Sequence, residues 1–142
     1  WYKVRGTWQR NVLFLIIEFY SILILYNFMT FLKSIETCFY KYADFNGRAS
    51  RSEFWWWYLF NVICWIVGFA INPVVEIVII IGLALPYIAV TARRLHDIGK
   101  SGWLQLIGII PLVGWIIMIV WCATEGEKKK NKYGASIKLK SR

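Results

Sequence analysis

The stretch 54-FWWWYLFNVICWIVGFAINPVVEIVIIIGLALPYIAV-90 decides the fold. It holds two apolar runs, Phe54 to Ile71 and Val74 to Val90, parted only by Asn72-Pro73. Each approaches the ~20 residues a helix needs to cross a hydrocarbon core about 30 Å thick. In lipid every backbone polar group needs an internal partner, which leaves helices or a closed barrel. The runs lack the apolar–polar alternation of barrel strands, so helices are expected. Proline suits a helix start and asparagine before it favours a turn, so the short break predicts an antiparallel helical hairpin.

Working outward, two further apolar segments flank this pair: Val12 to Phe28, interrupted by Glu18 and Ser21, and Trp103 to Ala123. The 142-residue chain is 58% hydrophobic and 18% aromatic, with nine tryptophans and a mean hydropathy of +0.50. A soluble domain of this size cannot hide so much apolar surface. The formal charge of +9 is confined to short segments beside apolar ones. That arrangement suits anionic headgroups and argues against a nucleic-acid face. Cys38, Cys64 and Cys122 are widely spaced and without CxxC or Cys/His spacing, so they read as buried small side chains. Trp55, Trp56 and Trp57 with Tyr58, and Trp103 beyond the polar loop, read as interfacial anchors.

Upstream, Phe31, Leu32, Ile35, Cys38, Phe39 and Tyr42 recur at helical spacing opposite Lys33, Glu36, Thr37, Lys41 and Asp44. This predicts an amphipathic interfacial helix over 31–45, ended by Asn46-Gly47. Ser50 and Glu53 have capping-box spacing for the next helix. Residues 1–28 read as an upstream apolar extension, with a signal-anchor helix behind Lys3, Arg5 and Arg10 as the alternative. The expected organisation is that extension, a membrane domain over 29–134 with spans near 54–71, 74–90 and 103–123, and a basic tail over 135–142. The fold class is an all-α integral membrane protein: an N-terminal amphipathic interfacial helix plus a bundle of three transmembrane helices. The extension would add one more apolar helix.

Three blocks, FNGRASRSEFWWWYLF, AVTARRLHDIGKSGW and IIPLVGWIIMIVWCATEGEKKKNKYG, together resemble the bacterial inner-membrane domain of unknown function 805 family. The similarity covers about residues 29–134. The resemblance implies a small multi-pass protein of the inner (cytoplasmic) membrane that begins with an amphipathic helix, near Met29. The family carries no established activity, so the resemblance adds no reaction.

Three spans after Met29 place Lys33, Lys41, Arg48, Arg51, Arg93, Arg94 and Lys100 on one side. The same count places Lys128, Lys129, Lys130, Lys132, Lys138, Lys140 and Arg142 on the other. Seven against seven is a tie under the positive-inside rule. Weighting early elements makes the arginine loop cytoplasmic. Alternatively Gly108, Pro111 and Gly114 bend the last apolar segment into a re-entrant hairpin, which returns the tail to the loop's side.

The loop 91-TARRLHDIGKSGW-103 carries the chemistry-bearing residues. Gly99-Lys100-Ser101 lacks the first glycine of a phosphate-binding loop, since position 94 is arginine, and no strand precedes it. Arg48, Arg51, Arg93, Arg94 and Lys100, with Trp103, are candidates for contact with lipid phosphates or a membrane partner. Glu53 is expected to pair with Arg93 or Arg94, and Asp97 with Arg93 at i,i+4 or Arg94 at i,i+3. His96 and Asp97 form the weak catalytic alternative, because neighbours on a helix point about 100° apart. Glu76, three residues past Pro73, caps a helix start or marks an ion path, and Asn61 bonds another helix. No catalytic residue, metal or cofactor is assigned.

The leading functional reading is a non-enzymatic membrane module whose basic loop contacts headgroups or a membrane partner. An oligomeric channel or transporter subunit and a membrane enzyme using His96 and Asp97 are the alternatives. Expected partners are membrane lipids, a second copy of the chain or another membrane protein, and no nucleic acid.

Overall fold

The computed structural model describes residues 30–137. The extension over 1–28 and the end of the basic tail lie outside the described residues. Helix α1 occupies residues 30–40 and is followed by a turn over 41–43, shorter than the expected 31–45. The chain leaves the helix because Asp44 Oδ1 accepts the backbone N–H of Asn46 at 2.9 Å, and Gly47 adopts φ 81°. Both features favour a turn over another helical residue. The apolar face of α1 packs on the start of the next helix. Phe31 meets Trp56 edge-on with ring centres 5.6 Å apart, and Phe39 meets Trp57 at 5.2 Å.

Helices α2 (Arg51–Ile71) and α3 (Pro73–Asp97) form the hairpin. Ser50 caps α2, its hydroxyl accepting from Glu53 N at 3.1 Å. Asn72 alone joins the two helices. Its N–H donates to Gly68 O at 3.2 Å, its side chain accepts from Val75 N at 3.0 Å, and Pro73 follows as the first helical residue. A Cβ on Gly68 would stand 2.9 Å from the Glu76 backbone, so the small residue permits the close crossing. The end is tied by Trp65 Nε1, which donates to Glu76 Oε1 at 2.8 Å. Glu76 is thus held across the hairpin, while Asn72 does the capping. Asn61 Nδ2 bonds the Trp57 carbonyl of its own helix at 2.8 Å, so the expected interhelical bond is corrected to a local one.

Pro86 sits inside α3. It has no N–H for the carbonyl four residues back, which belongs to Gly82. The Tyr42 hydroxyl, from the turn after α1, donates to that carbonyl. A backbone acceptor among apolar side chains thereby gains a partner.

Both helices are long and apolar enough to cross a membrane, and only 17% and 22% of their most apolar windows are buried. Phe69 is 71% exposed and Ile81 69% exposed. Helices that expose such surface are not the core of a soluble domain; lipid is the solvent that suits them. The buried core is small and lies at the other end of the hairpin, where Cys38, Ala49, Phe54, Trp57, Val90 and Cys122 meet. Trp57 is fully buried there. This corrects its reading as an anchor. Three successive helical residues fan through about 200°, so they cannot all face the interface.

The third expected span differs in form. Gly102–Ile109 is a 3-10 helix and Val113–Ala123 the short helix α4. Between them Val113 N donates to Pro111 O at 2.8 Å, closing a tight turn around Leu112. The α4 end then returns to the end of α3, where Cys122 O accepts from Arg94 Nε at 3.0 Å. Gly114 makes the return possible, since a Cβ there would fall 1.8 Å from the Ile107 carbonyl. The segment thus folds back on itself, and the chain that follows it lies at the same end of the helices as the arginine loop.

Candidate functional site

Helix α3 ends at Asp97 in a Schellman arrangement: Lys100 N donates to Leu95 O at 2.9 Å and Gly99 N to His96 O at 3.1 Å, with Gly99 at φ 75°. The Gly-Lys-Ser run is therefore a helix stop. Ser101 opens the 3-10 helix that follows.

Around this stop, two arginines and Asp97 form a buried knot. Arg48, from the linker before α2, donates from Nε to Asp97 Oδ1 at 2.8 Å and from Nη2 to Asp97 O at 3.2 Å. It also reaches the carbonyls of Lys129 at 2.9 Å, Gly134 at 3.4 Å and Glu127. A guanidinium has five N–H donors, and all five of Arg48 have acceptors. Arg94 bonds the other Asp97 oxygen, Cys122 O at 3.0 Å, Ala49 O at 3.4 Å and Thr124 O. The segment after α4, from residue 124 onward and called the tail from here, is drawn in as a strap: Glu127 N donates to Asp97 O at 2.9 Å, and Asn131 Nδ2 to His96 O at 3.0 Å. Gly126 is the residue that lets it pass, because a Cβ there would stand 1.9 Å from the Asp97 carboxylate.

A third ion pair lies beside the knot. Arg93 Nη1 donates to Glu53 Oε1 at 2.6 Å, stapling α3 to the first turn of α2. Arg93 Nε and Nη2, and Trp57 Nε1, are buried with no hydrogen-bond partner among the described residues. Cys38 faces the same cluster. Burial pushes its thiol up to about 12, Glu53 adds to the shift, and Arg93 opposes it. A thiol held protonated in this way is a poor nucleophile.

These placements revise the expected phosphate-binding set. Arg93 and Arg94 are fully buried and Arg48 is 8% exposed. Their charges are turned inward, and Arg48 has no donor left for a phosphate. Arg51 remains exposed, and Trp103 is 79% exposed. Lys100 is partly exposed, its Nζ 4.7 Å over the Trp121 ring. His96 and Asp97 are engaged separately. The His96 ring stacks on Tyr133 with centres 3.7 Å apart, and its Nδ1 lies 3.1 Å from Gly47 O. The carboxylate of Asp97 is held by the two arginines. Glu76 lies at the far end of the hairpin, on Trp65.

The tail was missed as part of this site. Most of its contributions are backbone carbonyls, which carry no side-chain signature. Gly126 between Glu125 and Glu127 was the one legible sign of a close approach.

Comparison with known proteins gives the family and the membrane. The profile of the family described as "Protein of unknown function (DUF805)" matches residues 42–135. Inner membrane protein YhaI of Escherichia coli strain K12 is 38% identical over 113 residues, covering 70% of this chain and 91% of that protein. Inner membrane protein YhaH of the same strain is 35% identical over 109 residues, covering 69% of this chain and 90% of that protein. No solved structure matches the chain. The chain belongs to the DUF805 family and is an inner-membrane protein.

Proposed function

We propose that the protein is a two-span, non-enzymatic module of the inner membrane whose cytoplasmic face is locked by the arginine knot and attaches to anionic headgroups through its lysines. In this reading α2 and α3 cross the bilayer, and the 3-10 helix with α4 dips in and returns. The observation that carries it is the segregation of charge. Among the described residues, the turn joining α2 and α3 has no lysine or arginine. The described basic residues belong to α1 and the turn after it, the linker, the first residue of α2, the arginine loop and the tail, and these elements meet at the knotted end. The seven-to-seven tie of a simple three-span arrangement therefore disappears, and the positive-inside rule points that end to the cytoplasm.

The headgroup contact shifts from the arginines to exposed lysines. Lys33, Lys128, Lys129, Lys130 and Lys132 are exposed, beside Arg51. Each basic residue near an anionic leaflet contributes about 1 kcal/mol of attraction. The buried arginines instead hold the linker, loop and tail in one piece, so that the lysines are presented together.

A reporter that is active only in the cytoplasm, fused after Gly134, tests the orientation. Activity is expected there, and its absence from a fusion within the α2–α3 turn. An inactive fusion after Gly134 with an active one in the α2–α3 turn overturns the proposal.

A further inference from the structure

Between the α2–α3 hairpin and the returning arm lies a cavity of about 700 Å³. Its walls include Tyr58, Tyr87, Trp103, Ile109 and Met118, and its character is strongly apolar. The hydroxyl of Thr91, one of its few polar groups, is already spent on Tyr87 O at 2.7 Å. Water gains too few partners in such a space, whereas hydrocarbon fits it. The size lies within the range of about 300–1,000 Å³ common for small-molecule sites.

Two cations stand just beyond the lining residues at one end. Cys122 lines the cavity, and the residues on either side of it each hold a basic side chain. Arg51 Nη1 donates to Ala123 O at 3.4 Å, and Lys100 Nζ lies over the Trp121 ring. Arg51 is the arginine in this region that the knot leaves at the surface. An apolar chamber with positive charge at one rim complements a molecule with a hydrocarbon chain and an anionic head.

We propose that this cavity is a specific site for an anionic diacyl phospholipid, with one acyl chain between the hairpin and the returning arm and the phosphate at Arg51 and Lys100. The second chain lies along the outer apolar face. The site rests on the reading that the knotted end stands at headgroup level. It differs from the lysine attraction in being a built pocket, so its lipid stays bound when the bilayer is removed.

Native mass spectrometry of the full chain in detergent tests this, with phosphatidylglycerol and phosphatidylcholine added in turn. Wild type is expected to retain one phosphatidylglycerol in preference to phosphatidylcholine. Replacing both Arg51→Gln and Lys100→Gln is expected to reduce that preference about tenfold, as two charge-assisted contacts are lost. Ile88→Trp narrows the chamber from a half-exposed wall position and is expected to weaken retention of both lipids. Ile109→Trp, from the opposite wall, gives the same result if Ile88→Trp does not fold. Equal retention of the two lipids by wild type overturns the proposal, as does undiminished retention in the folded cavity-narrowing variants. Dimer formation that these variants abolish would make the chamber a contact between copies and would also overturn it. Lys128, Lys129 and Lys130 replaced together by Gln leave retention unchanged, and the Gly134 reporter reads orientation separately, so the two proposals fail on different results.

Discussion

Pro86 leaves the Gly82 carbonyl without its helical donor, and Tyr42 supplies the missing one from outside the helix. The bond is expected to contribute about 1 kcal/mol, more where lipid offers no alternative donor. Tyr42→Phe should lower unfolding stability in mixed micelles by that amount. Pro86→Ala restores an N–H to the carbonyl, so in that background Tyr42→Phe should cost almost nothing; equal costs in both backgrounds would refute the pairing. Asp97 carries a larger load, as the shared carboxylate of two buried guanidiniums. Asp97→Asn removes the charge while keeping the shape, and is expected to cost about 3–5 kcal/mol because the arginines stay buried unpaired. A loss below 1 kcal/mol in the same titration would mean that the carbonyls alone sustain them. The spacing of Asp97 from Arg94 was legible in the sequence. Its bond to Arg48, 49 residues away, was not, since both sequence neighbourhoods read equally well as headgroup-facing.

At the scale of elements, composition marks an apolar segment as lipid-facing without saying whether it crosses or returns. Trp103 to Ala123 satisfies both, so the choice fell to the backbone at residues 110–114. Leu112 adopts φ 62° and ψ −67°, the centre of a γ-turn that L-residues with side chains adopt at a cost. Leu112→Gly is expected to relieve about 1 kcal/mol of that strain. Gly114→Ala acts in the opposite sense, by driving a methyl group into the Ile107 carbonyl. Thermal unfolding in one detergent should rank Leu112→Gly above wild type and Gly114→Ala below it. The reverse ranking would be incompatible with the turn. Glycines and a proline in the segment exposed the option of a fold-back, but the contacts that hold it, the Arg94 acceptors at Cys122 and Thr124, are backbone atoms with no sequence signature.

For the whole molecule, burial sorts the basic residues into two populations with different physics. Arg48, Arg93 and Arg94 are structural charges shielded from solvent ions, whereas the tail lysines face them. Salt screens only the second population strongly, with a Debye length near 10 Å at 0.1 M and about 3 Å at 1 M. The nine tryptophans are donors for energy transfer to labelled lipids, so the lipid composition around the protein in a mixed bilayer can be read directly. Anionic labels should be enriched over zwitterionic ones at low salt, and most of that enrichment should vanish at 1 M. Replacing Lys128, Lys129 and Lys130 by Gln removes roughly 3 kcal/mol of summed attraction at about 1 kcal/mol each, and should lower the low-salt enrichment several-fold without unfolding the protein. The knot should be indifferent to the same salt change, since its acceptors are backbone and buried carboxylate oxygens. Enrichment that persists at 1 M and is equal in wild type and the triple variant would show that the exposed lysines do not govern the lipid shell.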